Sequence, residues 1–207
     1  ATAKAIRRHQ DDFVSSFPSD IKELQFYFGD DKSDKVRAYP AKGLNVPLYI
    51  LGSSPESAYL AAELGLPYAF ASHFAPRFLT QAVEIYRKEF KPSDVLDKPK
   101  VIVGLNAIVA DTDSEAKLLA TTSLQFFLNV VTGERSGMKP PVPDIESRIP
   151  PHILSMAKSM TACSVIGSPK TVKAQLEQLQ KQVNADEFMV VSYIYDKDKQ
   201  ARSYELI

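Results

Sequence analysis

Cysteine is all but missing: Cys163 is the one thiol in 207 residues. That excludes an internal disulfide framework and fits a reducing, cytosolic compartment. With no histidine near it in sequence, Cys163 reads as a small packing residue rather than a nucleophile. Net charge is missing too. Lys+Arg and Asp+Glu balance at 25 each, so no overall field draws the chain to nucleic acid. No apolar run is long enough to span a bilayer, and no signal-peptide pattern is present. His9, His73 and His152 stand apart, without metal-ligand spacing around them. The chain opens on Ala1-Thr2-Ala3-Lys4 rather than Met, which reads as a helix under way and hence a fragment or a processed start.

What is present is ordinary globular composition, 44% hydrophobic and 24% charged, in a length that suits one sizeable domain or two small ones. The chain is organised around Val46 to Ser57. Leu48 to Leu51 is a short apolar run flanked by breakers, a buried strand rather than a helix. Gly52 permits a tight turn. Ser54 suits an N-cap and Pro55 the first helical position. Gly65 stops the helix and Pro67 prevents its resumption. Ser53, Ser54 and Ser57 therefore converge on the positive end of a helix dipole, where a phosphate can sit. The alternative is that these serines only cap the helix. Pro55, lacking an N–H, removes one donor.

The rest of the chain repeats this grammar. Residues 1–28 carry apolar positions at helical spacing, with a break at Ser16-Phe17-Pro18-Ser19. Gly29 to Lys35 is a charged loop and Val36 to Tyr39 a short strand. Tyr68 to Ala71 is a second buried strand, ending in Ser72 and His73. Ala75-Pro76 opens a helix running to about Phe90. Val101 to Val109 is a third strand, apolar enough to be buried on both faces of a parallel sheet. Thr112-Asp113-Ser114-Glu115 is a capping box, and its helix ends at Gly133. Residues 133–152, with five prolines between 140 and 151, form a long irregular loop, of a kind that is either a mobile functional lid or simply disordered. A short helix near 151–162 follows. Ile166-Gly167-Ser168-Pro169 is a turn that repeats Gly52-Ser53-Ser54-Pro55, and Ser168 caps the next helix. Phe188 to Ile194 is the fourth strand. Asp196 to Ile207 holds a polar loop and the start of a last helix. Four strands alternating with helices imply an α/β fold, either a doubly wound sheet or half of a (β/α)8 barrel.

Leu51-Gly52-Ser53-Ser54, Ser57-Ala58, and Ala61 through Pro76 resemble the bacterial luciferase-like flavin monooxygenases. So do Tyr86-Arg87, Phe90-Lys91-Pro92-Ser93, Ala110 to Ala116, Gly167 to Val172, and Arg202 to Leu206, all in the family's order. The likeness covers nearly the whole chain.

The resemblance implies a (β/α)8 TIM barrel of which this chain is the C-terminal part, strands five to eight, with residues 1–207 in one domain. Ala1 to Arg8 resembles the helix after the fourth strand. It implies an oxidoreductase using reduced FMN and oxygen on a small organic substrate, with a flavin reductase as a further partner. It places Gly52, Ser53, Ser54 and Ser57 at the FMN phosphate. Ser72 and His73, at the sixth strand's end, would line the flavin or substrate pocket. For His73 a purely structural hydrogen-bonding role stands beside that one. No catalytic residue is identified and no metal is expected. Loop 133–152 falls where the family has a mobile active-site loop. Two open sheet edges and an unsealed interior point to a homo-oligomer, or to completion by a missing N-terminal half. A non-catalytic flavin- or phosphate-binding remnant and a partner-completed half-barrel are the alternatives.

Overall fold

The computed structural model describes residues 13–30 and 37–207. The chain divides into two compact units, residues 1–48 and 49–207. In the first, helix α1 spans Phe13–Phe28. It runs through Pro18, so the expected break does not occur. Pro18 is exposed, and water can take the carbonyl that its missing N–H leaves behind. The chain then turns back, with Gly43 N and Asn45 N donating to Phe28 O at 3.1 and 3.0 Å. Residues 37–39 form no strand; the start of that expected strand lies outside the described residues, as do residues 1–12, Ala1 to Arg8 among them.

The second unit is a parallel α/β layer. Its elements in order are β1 Ile50–Gly52, α2 Pro55–Leu64, β2 Tyr68–Phe70, α3 Leu79–Glu89, β3 Val101–Val109, α4 Asp113–Thr132, α5 Pro151–Met160, β4 Val165–Gly167, α6 Pro169–Val183, β5 Glu187–Val191 and α7 Lys197–Glu205. A 3-10 turn, Pro76–Phe78, leads into α3. Among the described residues the sheet thus has five strands, one more than expected, all parallel. The added strand is β4, which overlaps the start of the Ile166–Pro169 segment expected to be a turn. The last expected strand ends at Val191 rather than Ile194. The chain's end is mostly helix rather than loop, capped by Asp196, whose carboxylate accepts from Asp198 N and Lys199 N.

β3 is the hub. Residues 101–103 pair with β2, 102–106 with β5 and 107–109 with β4. Alternation then sorts side chains by face. Ile50, Tyr68, Phe70, Val101, Val103 and Leu105 are fully buried, each contributing about 1.5–3 kcal/mol by leaving water. Tyr86 on α3 locks this layer to the sheet. Its hydroxyl donates to Leu66 O at 2.9 Å and accepts from Lys100 N at 3.1 Å, joining the entries to β2 and β3. The other face holds Leu51, Ala69, Ile102, Gly104, Met189 and Val191, and it is largely open: Leu51 is 67% and Met189 61% exposed.

Helix ends follow the sequence closely. Gly65 and Gly133 adopt the left-handed conformation that stops α2 and α4. Thr112 Oγ1 accepts from Glu115 N at 3.2 Å, as its capping box requires. Ser54 and Ser168 hold the N-cap positions, but neither hydroxyl caps its helix. Residues 133–150 are laid along α4: Thr122 Oγ1 donates to Lys139 O (3.0 Å), Gln125 Nε2 to Pro140 O (2.9 Å) and Asn129 Nδ2 to Ser136 Oγ (2.7 Å). A 3-10 turn at Ile145–Arg148 interrupts the stretch.

Candidate functional site

Of the cofactor-site candidates, Gly52, Ser53 and Ser54 lie at the C-terminal end of β1, Ser72 and His73 at that of β2, and Ser57 in the first turn of α2; the register makes the two strand ends neighbours. Gly52 stands opposite Phe70, and Ala71 N donates to Gly52 O at 2.9 Å. Gly52-Ser53-Ser54 and Ser72-His73 are therefore one cluster at the carboxyl edge of a parallel sheet, where α/β folds hold their ligands.

The two halves of that cluster differ. Gly52 is required by a close approach: a β-carbon there would overlap Oγ and Cβ of Ser57. The Ser57 hydroxyl sits 2.6 Å from Ser54 O, to which it donates, and 2.9 Å from Tyr68 Oη. That hydroxyl is engaged within the chain. Ser53 makes no side-chain bond among the described residues, so its hydroxyl is available. Ser54 turns its hydroxyl to the Glu56 carboxylate, which also takes its own N–H; together these hold Glu56 below the usual carboxylate range. The positive end of α2 is thus attended by an exposed acidic side chain.

The twin turn at α6 provides a comparison. There Asp113, reaching from the start of α4, accepts from Ser168 N at 2.6 Å and from Thr171 Oγ1 at 3.1 Å. Those donors depress its pKa. One Gly-Ser-Pro turn is closed by a carboxylate fixed from another element. The other carries a carboxylate, Glu56, on an exposed side chain of its own first turn.

Beside the first turn lies a cavity of about 420 Å³ on the open face of the sheet, lined chiefly by Leu51, Ala69, Ala71, Gly104, Met189 and Val191, with His73 at its rim. Small residues at 69, 71 and 104 leave space over that part of the sheet, beside the larger Ile102. Ser72 faces away: it is 1% exposed and its hydroxyl donates to Gly104 O at 2.6 Å. His73 meets Phe74 edge-on, with ring centroids 4.7 Å apart. Its Nδ1 is buried without a hydrogen-bond partner. Burial lowers its pKa, the backbone of Gly104 opposing in part. Cys163 is half-buried, and burial raises its thiol pKa, against a smaller opposing effect from Ser72. That is the setting of an unreactive thiol.

Sequence reading passed over Asn106. It is fully buried in β3, donates to Ser123 Oγ at 3.2 Å and accepts from Tyr193 N at 3.1 Å, so it anchors the chain leaving β5. A lone amide inside an apolar strand is the signal that marked it. Among the described residues, no helix is long and apolar enough to cross a membrane.

Partial-barrel topology with a cluster at the strand ends defines a class, and comparison names it. The family model described as luciferase-like monooxygenase matches residues 23–185, and the chain belongs to that family. It is 43% identical, over its whole length, to the uncharacterized protein YvbT of Bacillus subtilis, and 38% identical, over 99% of its length, to the luciferase-like monooxygenase of Escherichia coli K12. It spans 62% of each. Among solved structures, apo-MsnO8 superposes with a TM-score of 0.87 at 28% identity, over 99% of this chain and 62% of that one. A more distant likeness is the oxygenating constituent of 3,6-diketocamphane monooxygenase from Pseudomonas putida, solved in complex with FMN. There the TM-score is 0.57 at 18% identity, over 86% and 52% of the two chains, a likeness of fold. The fold is accordingly part of a luciferase-like TIM barrel, as the resemblance implied.

Proposed function

We propose that this chain is the C-terminal portion of an FMN-dependent monooxygenase acting with reduced flavin and oxygen on a small organic substrate. The observation that carries the reading is the largely apolar cavity beside the Gly52-Ser53-Ser54 turn. The residues fit the cofactor in two places. The Ser53 and Ser54 hydroxyls and the first-turn N–H groups of α2 would hold the phosphate, with Glu56 turned outward. Gly52 lets the turn pack against Ser57, and Ser57 with Tyr68 fixes its shape. Ala69, Ala71 and Gly104 leave room for the ring, and Leu51, Met189 and Val191 offer it apolar contact. Reduced flavin, when bound, would supply the electrons for oxygen chemistry. A flavin reductase fits as its source, and the cytosol as the place where both work.

The test is a fluorescence titration of the chain with FMN and with riboflavin, which lacks the phosphate. FMN should bind about tenfold tighter, as two or three charge-assisted hydrogen bonds allow. A Ser53→Ala, Ser54→Ala variant should erase that preference. Equal affinities in the parent chain would remove the phosphate from this turn.

A second reading is favoured by the exposure of Leu51 at 67%, Met189 at 61% and Tyr49 at 48% on one sheet face. We read that face as one that another chain or another copy covers, making a half-barrel completed by its partner. Sedimentation that returns only monomer, with the apolar dye 8-anilinonaphthalene-1-sulfonate bound to the bare face, would count against a self-completed assembly.

A further inference from the structure

We propose that His73 is the ligand-positioning acceptor of this cavity: its Nδ1, wedged against Gly104, carries the hydrogen, and its Nε2 accepts from an N–H or O–H of an otherwise apolar, cavity-filling ligand. The inference rests on reading the cavity as the ligand site. Three observations lead to it.

The first is the scarcity of polar groups. At the C-terminal end of the strands, His73 is the one polar side chain in a lining of Leu51, Ala71, Gly104, Met189 and Val191. The other polar lining groups, Tyr49 and Glu187, lie at the opposite end of β1 and β5. Glu187 is already paired there with Lys100 at 2.7 Å.

The second is that the ring is held. A β-carbon at position 104 would stand 2.8 Å from Nδ1, so the imidazole occupies the notch that glycine leaves. Ser72 Oγ ties the neighbouring residue to Gly104 O at 2.6 Å, and Phe74 closes the ring's other side. A side chain that is only packing has no need of a nitrogen there.

The third is the unequal state of the two nitrogens. Nδ1 is buried and lacks a partner, while Nε2 is neither buried nor taken by any described group of the chain. The Gly104 backbone beside Nδ1 favours a proton on the ring, and burial favours the neutral ring. A neutral imidazole with its hydrogen toward Gly104 leaves the Nε2 lone pair facing the cavity. The donor it would meet is either a planar ring's imide N–H or a substrate's O–H.

The experiment is 15N NMR of the histidine-labelled chain, with His73→Gln identifying the signal among three histidines. In the free chain the neutral ring should carry its hydrogen on Nδ1; the Nε2–H form overturns the proposal. Riboflavin and 1-decanol are then added separately. A selective shift of Nε2 with riboflavin identifies the imide, and with decanol the hydroxyl. No Nε2 shift with either overturns the proposal. Flavin fluorescence on the same samples separates the two ideas. Bound flavin with an unmoved Nε2, and decanol also without effect, sinks the His73 role and spares the cavity. Unbound flavin with a decanol shift removes the flavin reading and keeps the acceptor. For whichever probe binds, His73→Phe should weaken affinity about tenfold, whereas His73→Gln, whose amide oxygen reaches the Nε2 position, should stay within about threefold. Equal losses in both variants overturn the proposal.

Discussion

Replacing Gly52 by alanine tests the turn at the head of α2. The added β-carbon would overlap both Oγ and Cβ of Ser57, so rotating the hydroxyl away gives no relief. Either β1 or the first turn of α2 must shift. Overpacking of this kind costs about 1–3 kcal/mol. The shift also strains the Ser57 bonds to Ser54 O and Tyr68 Oη, at about 1 kcal/mol each. Gly52→Ala should thus destabilise the chain by about 3 kcal/mol. In urea, with a slope of about 2–3 kcal/mol per M, the midpoint would fall by about 1–1.5 M. The sharper test is which second change rescues it. Ser57→Ala keeps the offending β-carbon and should recover little. Ser57→Gly removes it and should bring the double variant to within about 1 kcal/mol of Ser57→Gly alone. A loss below about 0.5 kcal/mol for Gly52→Ala, or equal rescue by both partners, would refute the close-packing argument.

Two further outcomes follow from other contacts. Asn106→Leu leaves Ser123 Oγ and Tyr193 N without their buried partner and should cost about 2–4 kcal/mol in the same urea assay, of which adding Ser123→Ala returns about 1; a neutral Asn106→Leu would show that the amide is dispensable. Asp113 has a folded pKa below its ordinary value, so its stabilising effect is full above about pH 4, the unfolded value, and is lost as pH falls through the folded one. The stability gap between the parent chain and Asp113→Asn should therefore narrow on acidification below about pH 4 in thermal melts, and a gap independent of pH would sink the trans-capping role.

What could be read from the sequence was what local chemistry decides. Thr112 to Glu115, Gly65, Gly133 and the strand runs at 68–71 and 101–109 announced themselves because each signal is complete within a few residues. β4 escaped because three residues, Val165 to Gly167, sit between Ser164 and a Ser-Pro pair and gain strand geometry only from pairing with β3. Pro18 misled because its cost depends on exposure, which sequence does not fix. At the site, the Gly52 to Pro55 turn and the strand-end position of Ser72 and His73 were legible. The engagement of Ser57 was not, since Tyr68 lies 11 residues away and arrives through the sheet. Asn106 stood out only as a lone amide in an apolar strand, and its partners, 17 and 87 residues distant, did not show. Asp113 was legible as a helix-start residue, but its hold on Ser168 spans 55 residues.

The position of β3 sets the order in which the molecule can assemble. Its first residue, Val101, donates its N–H to Asp186 at 2.7 Å across 85 residues, and β5 pairs along its middle only after α4, α5 and α6 have been made. Closing so long a loop is costly in entropy before any contact rewards it. On the ribosome, β1, β2 and β3 emerge with residues 102–106 of β3 unpaired on the β5 side, a template for stray strands until Glu187 to Val191 appears. Stalled or truncated chains that end before residue 187 should therefore be the ones that chaperones and proteases meet.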